Sequence, residues 1–280
     1  MIGTNYRLTM ETNRQAALSR SIARLQTEIS TTRRIQAPSD DPVAAARISE
    51  IGRTQANQAS FKSNLDLANA LASGAETALE ATANAVTRAH ELMIAGANGT
   101  LSGTNRAAMA LELRSIAAEI TTLKDSRDAR GNRLFMPGWA LQIPVAAGLT
   151  INAAGTREEV FEAVPTAGGP RDLATIVADA ATALEGGGTT AIGGSVTELV
   201  AGVDHIAGIR GQQGARGNRI DQLVERFEAT KLQLTEERSV LEDTDVHAAI
   251  AKLQSQQLTL DAAQAVFARV NQSTLFDVLR

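Results

Sequence analysis

Apolar residues recur at alternating steps of four and three along the last stretch of the chain, residues 246–280. The positions on this repeat are Val246, Ile250, Leu253, Gln257, Leu260, Gln264 and Phe267. This spacing aligns them on one face of an α-helix, as in the heptad repeat of coiled coils. Because no Gly or Pro interrupts the stretch, we predict one unbroken helix. Its apolar face is narrow, so we expect the helix to require a partner along its whole length.

The same spacing near the start of the chain provides a candidate partner. We predict a long amphipathic helix there, with its apolar face formed by Leu18, Ile22, Leu25 and Ile29. We expect this face to pack against the last helix, on the residues Ile250, Leu253, Leu260 and Phe267. Leu275 and Leu279 are further candidates for the apolar face of the last helix. The two terminal helices would thus form a coiled coil, either within one chain or with other copies.

A short segment of turn-forming residues interrupts the helical pattern between residues 33 and 42. Pro38 disfavours helical conformation at the residue before it. Pro42 suits the first turn of a new helix, for which Asp40 or Asp41 would provide the cap. We therefore predict a break between two helical domains, with Arg34 at its beginning. A simple end and restart of a helix would explain the same residues.

The middle of the chain combines long helices with a short section rich in turns. Heptad patterns predict helices over residues 43–95, over about 104–123 and from Ser195 to about Asp243. Between residues 136 and 194, Gly and Pro separate short apolar runs. We interpret these runs as strands over 141–145, 149–151 and 160–164, followed by a helix over 172–185. A repeat of Gly at every third residue from Gly208 to Gly217 indicates local flexibility within a helix.

We therefore predict a mainly α protein in which long antiparallel helices from both termini form a coiled coil or bundle. A small mixed α/β insert interrupts it. Residues 1–40 and 245–280 would form a terminal coiled-coil domain, and 41–135 with 195–244 a helical bundle. Residues 136–194 would form a small insert with short strands and a helix. The helical pattern is therefore symmetric about the insert, which leaves the terminal helices to meet each other.

Composition favours a structural role over catalysis. Aromatic residues make up only 3% of the chain, which suits closely packed helices better than a ligand pocket. The chain lacks Cys, and its histidines, His90, His205 and His247, lack the spacing of a helical metal site. The net charge of −4 does not favour non-specific binding to nucleic acid. We therefore expect no enzyme activity, cofactor or metal, and no membrane-spanning segment.

Four segments, taken together, are similar to a known family. Residues 34–46, RIQAPSDDPVAAA, resemble the N-terminal signature of the bacterial flagellin superfamily. Residues 98–100, NGT, resemble the turn after its second helix, although they also match the sequon for N-glycosylation. Residues 131–138, GNRLFMPG, and the ending 275–280, LFDVLR, resemble two further family segments. The motif at 34–46 is most similar to the branch of hook–filament junction proteins, with filament flagellins as the other branch.

This resemblance implies an extracellular subunit of the bacterial flagellum. Its terminal helices would line a tube, and its partners would be copies of itself or neighbouring flagellar subunits, namely hook-associated proteins and flagellin. A flagellum-specific chaperone would hold the C-terminal helix before export. The family is exported through the flagellum's own channel, in agreement with a start at Met1 that lacks the pattern of a cleaved signal peptide. The heptads alone would also suit a cytoplasmic coiled-coil adaptor or sensor.

Overall fold

A computed structural model describes the backbone of residues 2–278 and the side chains of Tyr6 and of residues 9–269. Within this part, the α-helices are α1 (Ile2–Thr31), α2 (Pro42–Gly96), α3 (Gly103–Lys124), α4 (Leu173–Gly186), α5 (Thr189–Glu242) and α6 (Val246–Val278). The strands are β1 (Gln142–Ala146), β2 (Leu149–Asn152), β3 (Val164–Thr166) and β4 (Gly169–Arg171). The predicted mainly α architecture with a small mixed segment is confirmed.

The chain forms two compact units, to which the long helices α2 and α5 both contribute. The terminal unit consists of residues up to 56 and from 230 onwards, and the central unit consists of residues 57–229. The predicted division into three parts, with boundaries near 40, 135, 195 and 244, stays a prediction. Helix α5 begins at Thr189, inside the stretch predicted as the insert.

The core of the central unit is built by four helices, α2, α3, α4 and α5. Each contributes side chains with no exposed surface, among them Val86, Leu113, Leu173 and Leu199. Small Ala residues on α2, such as Ala75, are also fully buried. Short side chains let helix axes approach closely, as expected from the Ala-rich heptads of the sequence.

A second core of the central unit lies beneath the β1–β2 hairpin. The two strands pair antiparallel with Ile143 opposite Ile151, and both side chains are buried. They pack against Leu65 of α2 and Ile220 of α5. The buried amide of Gln213 on α5 joins these elements, because its Nε2 donates to the carbonyl oxygens of Ala72, 3.3 Å away, and Ala153, 2.8 Å away.

The prediction of a strand over residues 160–164 was wrong. Residues Glu158–Glu162 form a short π-helical turn, and only Val164 belongs to a strand. Thr156 and Glu159 account for the turn, because each accepts a hydrogen bond from the backbone N–H of the other. This reciprocal pairing is a capping box, which starts a helical segment. Within the turn, the buried side chain of Phe161 packs edge to face against Phe135, with ring centroids 5.2 Å apart.

A cluster of charges fixes the start of α4. Asp172 caps the helix by accepting from the backbone N–H of Thr175 at 3.0 Å. The ammonium group of Lys124, at the end of α3, lies 2.5 Å from Asp172 and 2.6 Å from Glu162. Burial alone would raise the pKa of Asp172, but the hydrogen bonds from Lys124 and Thr175 outweigh it and lower the pKa below its ordinary value. The folded state therefore gains stability from Asp172 above its unfolded pKa and loses it as the pH falls through the folded pKa.

Helices α2 and α4 approach each other so closely at Gly96 that no side chain fits there. A Cβ atom at this position would lie 2.5 Å from Cδ1 of Leu184, whose side chain is fully buried. Gly208 of α5, in the same unit, has open space around the corresponding position. A methyl group would therefore clash with Leu184 at Gly96 but would contact no other side chain at Gly208.

We predict opposite effects of adding that methyl group. Gly96→Ala should destabilise the protein by about 1–3 kcal/mol, because Leu184 must leave its packed position. Gly208→Ala should stabilise it by up to about 1 kcal/mol, because Ala is favoured over Gly within a helix. Denaturant unfolding followed by circular dichroism measures both. Equal shifts in the two variants would contradict the close packing of α2 on α4.

Candidate assembly site at the terminal helices

Helices α1 and α6 lie antiparallel to each other in the terminal unit. At one end of the pair, the backbone N–H of Thr244 donates to the carbonyl oxygen of Thr32 over 2.9 Å. At the other end, Tyr6 of α1 and Phe267 of α6 line the same groove. The predicted pairing of the first and last helices is therefore present within one chain.

The inner face of α1 contains the four residues predicted from the heptad pattern. Leu18, Ile22 and Ile29 are half-buried, and Leu25 is 5% exposed. The inner face of α6 follows the heptad spacing with the residues Val246, Ala249, Leu253, Gln256, Leu260, Ala263 and Phe267. Leu253, Leu260 and Phe267 thus lie where the sequence placed them.

On α6, the positions between the shared residues 246, 253, 260 and 267 differ from the prediction. Ile250 is 39% exposed, and Gln257 and Gln264 are also exposed, so within one chain these residues do not form the packed face. The inner positions are one residue earlier, at Ala249, Gln256 and Ala263. Steps of three and four alternate in a heptad, so both registers share 246, 253, 260 and 267. Hydrophobicity could not distinguish them, because both registers contain Gln.

Among the described side chains of the terminal unit, three polar atoms are shielded from solvent without a hydrogen-bond partner. They are Nε2 of Gln15 on α1, Oε1 of Gln256 on α6 and Oγ1 of Thr244 before α6. An unpaired buried polar group costs about 1–3 kcal/mol. The sequence patterns did not single out Gln15 or Gln256 because both are polar residues at predicted helical positions.

A groove of about 700 Å³ lies between α1 and α6, and its lining is mostly apolar. Several large side chains that line it remain exposed in the single chain, with Tyr6 68%, Met10 57% and Val266 63% exposed. Outside the groove, Leu258 of α6 is 72% exposed. The packing between α1 and α6 therefore covers only part of their apolar surface, whereas the helices of the central unit enclose large side chains with no exposed surface.

Arg34 attaches the break after α1 to the end of α5. Its backbone N–H donates to the carbonyl oxygen of Glu242 over 2.8 Å, and its Nη2 donates to that of Leu241 over 3.0 Å. The neighbouring Arg33 forms an ion pair with Glu242, 3.0 Å apart. Thr32, where the chain leaves α1, has a φ of 55°, which residues other than Gly, Asn and Asp rarely adopt. The break is thus a structured junction between the two ends of the chain.

The two aspartates of the break have separate roles. Oδ2 of Asp40 accepts from the backbone N–H groups of Gln36 and Ala37, at 3.1 and 3.0 Å. Together with Arg24, 3.4 Å away, these donors lower the pKa of Asp40. Oδ1 of Asp41 accepts from the backbone N–H of Ala44 over 3.0 Å and so caps α2.

The two prolines follow the pattern expected for a helix end and restart. Pro38 lies exposed in the turn between α1 and α2. Pro42 is the first residue of α2, where its missing N–H costs no helical hydrogen bond. Of the predicted assembly residues, the side chains of Leu275 and Leu279 lie outside the described residues, so their role stays a prediction.

The described residues contain neither a metal-ligand cluster nor a membrane-spanning helix. No group of three or more His, Cys, Asp or Glu side chains within them could hold a metal ion. Among the helices described, none has the length and apolar character needed to cross a membrane. The exposed apolar side chains of the terminal unit lie at the groove and on α6, and also at Val43 of α2 and at Leu232 and Val240 of α5.

Pairing of the first and last helices, with part of their apolar surface left uncovered, is typical of helical proteins that assemble with other copies or partners. Two family models match this chain: the bacterial flagellin N-terminal helical region over residues 2–137 and the C-terminal helical region over residues 196–279. The chain therefore belongs to the bacterial flagellin family. The stretch between the two matched regions contains β1 to β4 and α4.

Relatives with similar sequences are hook-associated proteins. The chain is 31% identical over 112 residues to flagellar hook-associated protein 3 of Salmonella typhimurium, a match that covers 40% of this chain and 35% of that protein. The corresponding protein of Escherichia coli is 29% identical over 108 residues, covering 39% and 34%. The matched stretch thus spans about a third of the length of these curated relatives.

Solved structures share the fold at lower identity. A putative flagellar hook-associated protein of Vibrio parahaemolyticus superposes with a TM-score of 0.65 at 20% identity, covering 72% of this chain and 99% of that one. Flagellar hook-associated protein 3 of Legionella pneumophila gives a TM-score of 0.64 at 12% identity, covering 69% and 98%. At these identities the likeness shows a common fold.

We predict that Asp40 and Asp41 hold different parts of the break. Asp40→Asn should speed hydrogen–deuterium exchange at the amides of Gln36 and Ala37, because an amide oxygen accepts more weakly than a carboxylate. Asp41→Asn should speed exchange at Ala44 instead, which makes each variant the control for the other. Exchange that changes at the same amides in both variants would contradict these assignments.

The titration of Asp40 provides a second check. NMR should give a pKa below the ordinary value of about 3.9. Because the folded pKa is lowered, the hydrogen bonds of Asp40 stabilise the break above the unfolded pKa, and this contribution is lost as the pH falls through the folded pKa. A pKa at or above the ordinary value would contradict the assignment of these hydrogen bonds to the Asp40 carboxylate.

Proposed function

We propose that the protein is a structural subunit of the bacterial flagellum that assembles through α1 and α6, at the hook–filament junction or in the filament. The observation that carries this proposal is the unfinished packing of α1 on α6 in a chain of the flagellin family. Large apolar side chains such as Met10 and Val266 stay exposed along the α1–α6 contact, whereas the helices of the central unit enclose a core of side chains with no exposed surface. We infer no catalytic activity.

Neighbouring copies would complete the packing of the terminal helices. Burial of apolar surface contributes about 25 cal/mol per Å², so covering the groove and the exposed face of α6 would favour association. If α1 and α6 repack on assembly, the shielded donor on Gln15 and the shielded acceptor on Gln256 would gain partners in neighbouring copies. A polar residue within a coiled-coil face favours the one register in which it is paired. The glutamines would therefore select register, and the apolar side chains would provide most of the affinity.

The proposed partners are copies of the same chain and neighbouring flagellar subunits, namely hook-associated proteins and flagellin. Before assembly, a flagellum-specific chaperone would hold α6, whose Leu258 and Val266 are exposed. The subunit would be exported without a cleaved signal peptide and function outside the cell. Leu275 and Leu279, with Ile250 on the exposed side of α6, would contribute to contacts with these partners.

We predict that α6 is required for assembly and dispensable for the fold of the central unit. Deleting residues 246–280 should abolish incorporation into flagella, as measured on sheared appendages. Circular dichroism should still show a cooperative transition, because no described side chain of α6 belongs to the cores of the central unit. Normal incorporation of the truncated chain would contradict the proposal.

Substitution of adjacent glutamines tests the register of α6. Gln256→Leu should leave the isolated chain as stable or more stable, since it removes an unpaired buried polar atom. It should reduce incorporation, because the partner group in a neighbouring copy loses its acceptor. Gln257→Leu, on the exposed side of the helix, is the matched control. A larger assembly defect in Gln257→Leu would assign the register role to the other face.

Deleting the gene distinguishes the two branches. A junction protein should leave cells that secrete flagellin into the medium without retaining filaments. A filament protein should instead leave cells without the principal band of the sheared filament. Unchanged flagella in the deletion strain would contradict both branches.

A further inference from the structure

The turn between α2 and α3 contains an exposed Asn followed directly by Gly. Asn98 and Gly99 are exposed at the surface, and Gly99 has open space around the position of a Cβ atom. Every other Asn of the sequence precedes a residue that has a side chain. Asn98 is therefore the one Asn whose following backbone nitrogen is not crowded by a Cβ atom.

The hydrogen bonds of the turn leave the groups of a cyclisation reaction free. Within the described residues, the backbone N–H of Gly99 donates no hydrogen bond, and neither does Nδ2 of Asn98. By contrast, Asn64 and Asn69 lie inside α2, where the backbone N–H of the next residue is engaged in the helix. Only at Asn98 do a free backbone nitrogen and a following Gly coincide.

Thr100 binds the oxygen on which charge would develop. Its backbone N–H donates to Oδ1 of Asn98 over 3.2 Å, and its hydroxyl donates to the same oxygen over 2.9 Å. When a nucleophile attacks the side-chain carbonyl carbon, Oδ1 becomes an oxyanion. Two donors already directed at that oxygen stabilise the tetrahedral intermediate, as in the oxyanion hole of an acyl-transfer enzyme.

We propose that Asn98 is a site of spontaneous deamidation, assisted by the two hydrogen-bond donors of Thr100. The backbone nitrogen of Gly99 attacks Cγ of Asn98 and loses its proton to solvent, so that a bond forms between this nitrogen and Cγ. Nδ2 takes up a proton from solvent, the bond from Cγ to Nδ2 breaks, and the nitrogen leaves as ammonia. Water then opens the cyclic imide at either carbonyl, giving aspartate or isoaspartate. No oxidant, metal or enzyme is needed.

The products would change the turn in two ways. Either adds a negative charge just beyond the C-terminal end of α2, where the helix dipole disfavours it. Isoaspartate also reroutes the backbone through the former side chain. This disturbs the turn bond from the N–H of Leu101 to the carbonyl of Asn98, 3.1 Å, just before Ser102 caps α3. The hairpin of α2 and α3 would be loosened at its tip.

Peptide mass spectrometry of the purified full chain, aged at mildly alkaline pH, tests the proposal. The peptide containing Asn98 should gain the mass that accompanies replacement of an amide by a carboxylic acid, faster than any other Asn peptide. Gly99→Ala should slow this by about tenfold, because a Cβ atom crowds the attacking nitrogen.

Thr100→Val tests the assistance from the hydroxyl. It keeps the backbone donor and should slow deamidation by about threefold to tenfold, less than the loss found for a buried oxyanion donor. Thr104→Val, an exposed Thr in the first turn of α3, is the control and should deamidate at the wild-type rate. Deamidation of Thr100→Val at or above the wild-type rate overturns the role of Thr100. Deamidation of Asn98 no faster than of the other Asn residues overturns the site itself.

Discussion

The structure depends on an apolar face that one chain cannot cover. Helices α1 and α6 lie antiparallel, but their contact fully buries few large side chains, of which Leu25 is one. A groove of about 700 Å³ remains between them, and each helix contains a shielded polar atom without a hydrogen-bond partner, on Gln15 in α1 and on Gln256 in α6. Isolated helices are marginal in water, and most helical stability comes from packing. Assembly is therefore the step that would stabilise the ends of this chain.

The central unit is built in the opposite way. Helices α2 to α5 enclose side chains with no exposed surface, and the β1–β2 hairpin is held by Gln213 and by packing on Leu65. Several of its charged and polar groups are paired within the unit, among them Lys124 with Asp172 and Glu162. One chain thus combines a unit with two buried cores and a unit whose paired helices leave large apolar side chains exposed. This combination suits a subunit that is folded in its middle and completed at its ends by neighbours.

Heptad spacing predicted the helices well, because long amphipathic patterns are the strongest signal in a sequence. It also predicted Leu18, Ile22, Leu25 and Ile29 on the inner face of α1. It failed for α6 at every second position, since Ala249 and Gln256 are no more apolar than Ile250 and Gln257. Which side of a narrow face is inward depends on the position of the partner helix, which no local pattern contains.

Short segments were harder to predict for the same reason. The buried run around Phe161 suits a strand or a helical turn, and the capping pair Thr156 and Glu159 decides between them. Lys124 and Gln213 bring together residues far apart in the chain, so their roles emerge only in three dimensions. The break at Arg34 to Pro42 was visible as a turn, whereas its attachment to Leu241 and Glu242 was not.

Hydrogen–deuterium exchange of the subunit, free in solution and in isolated flagella, tests the central claim most directly. If neighbouring copies complete the packing of α1 and α6, amides of both helices should exchange quickly in the free chain and slowly in flagella. The core helices of the central unit should exchange slowly in both states. Equal protection of α1 and α6 in the two states would contradict an assembly role for these helices.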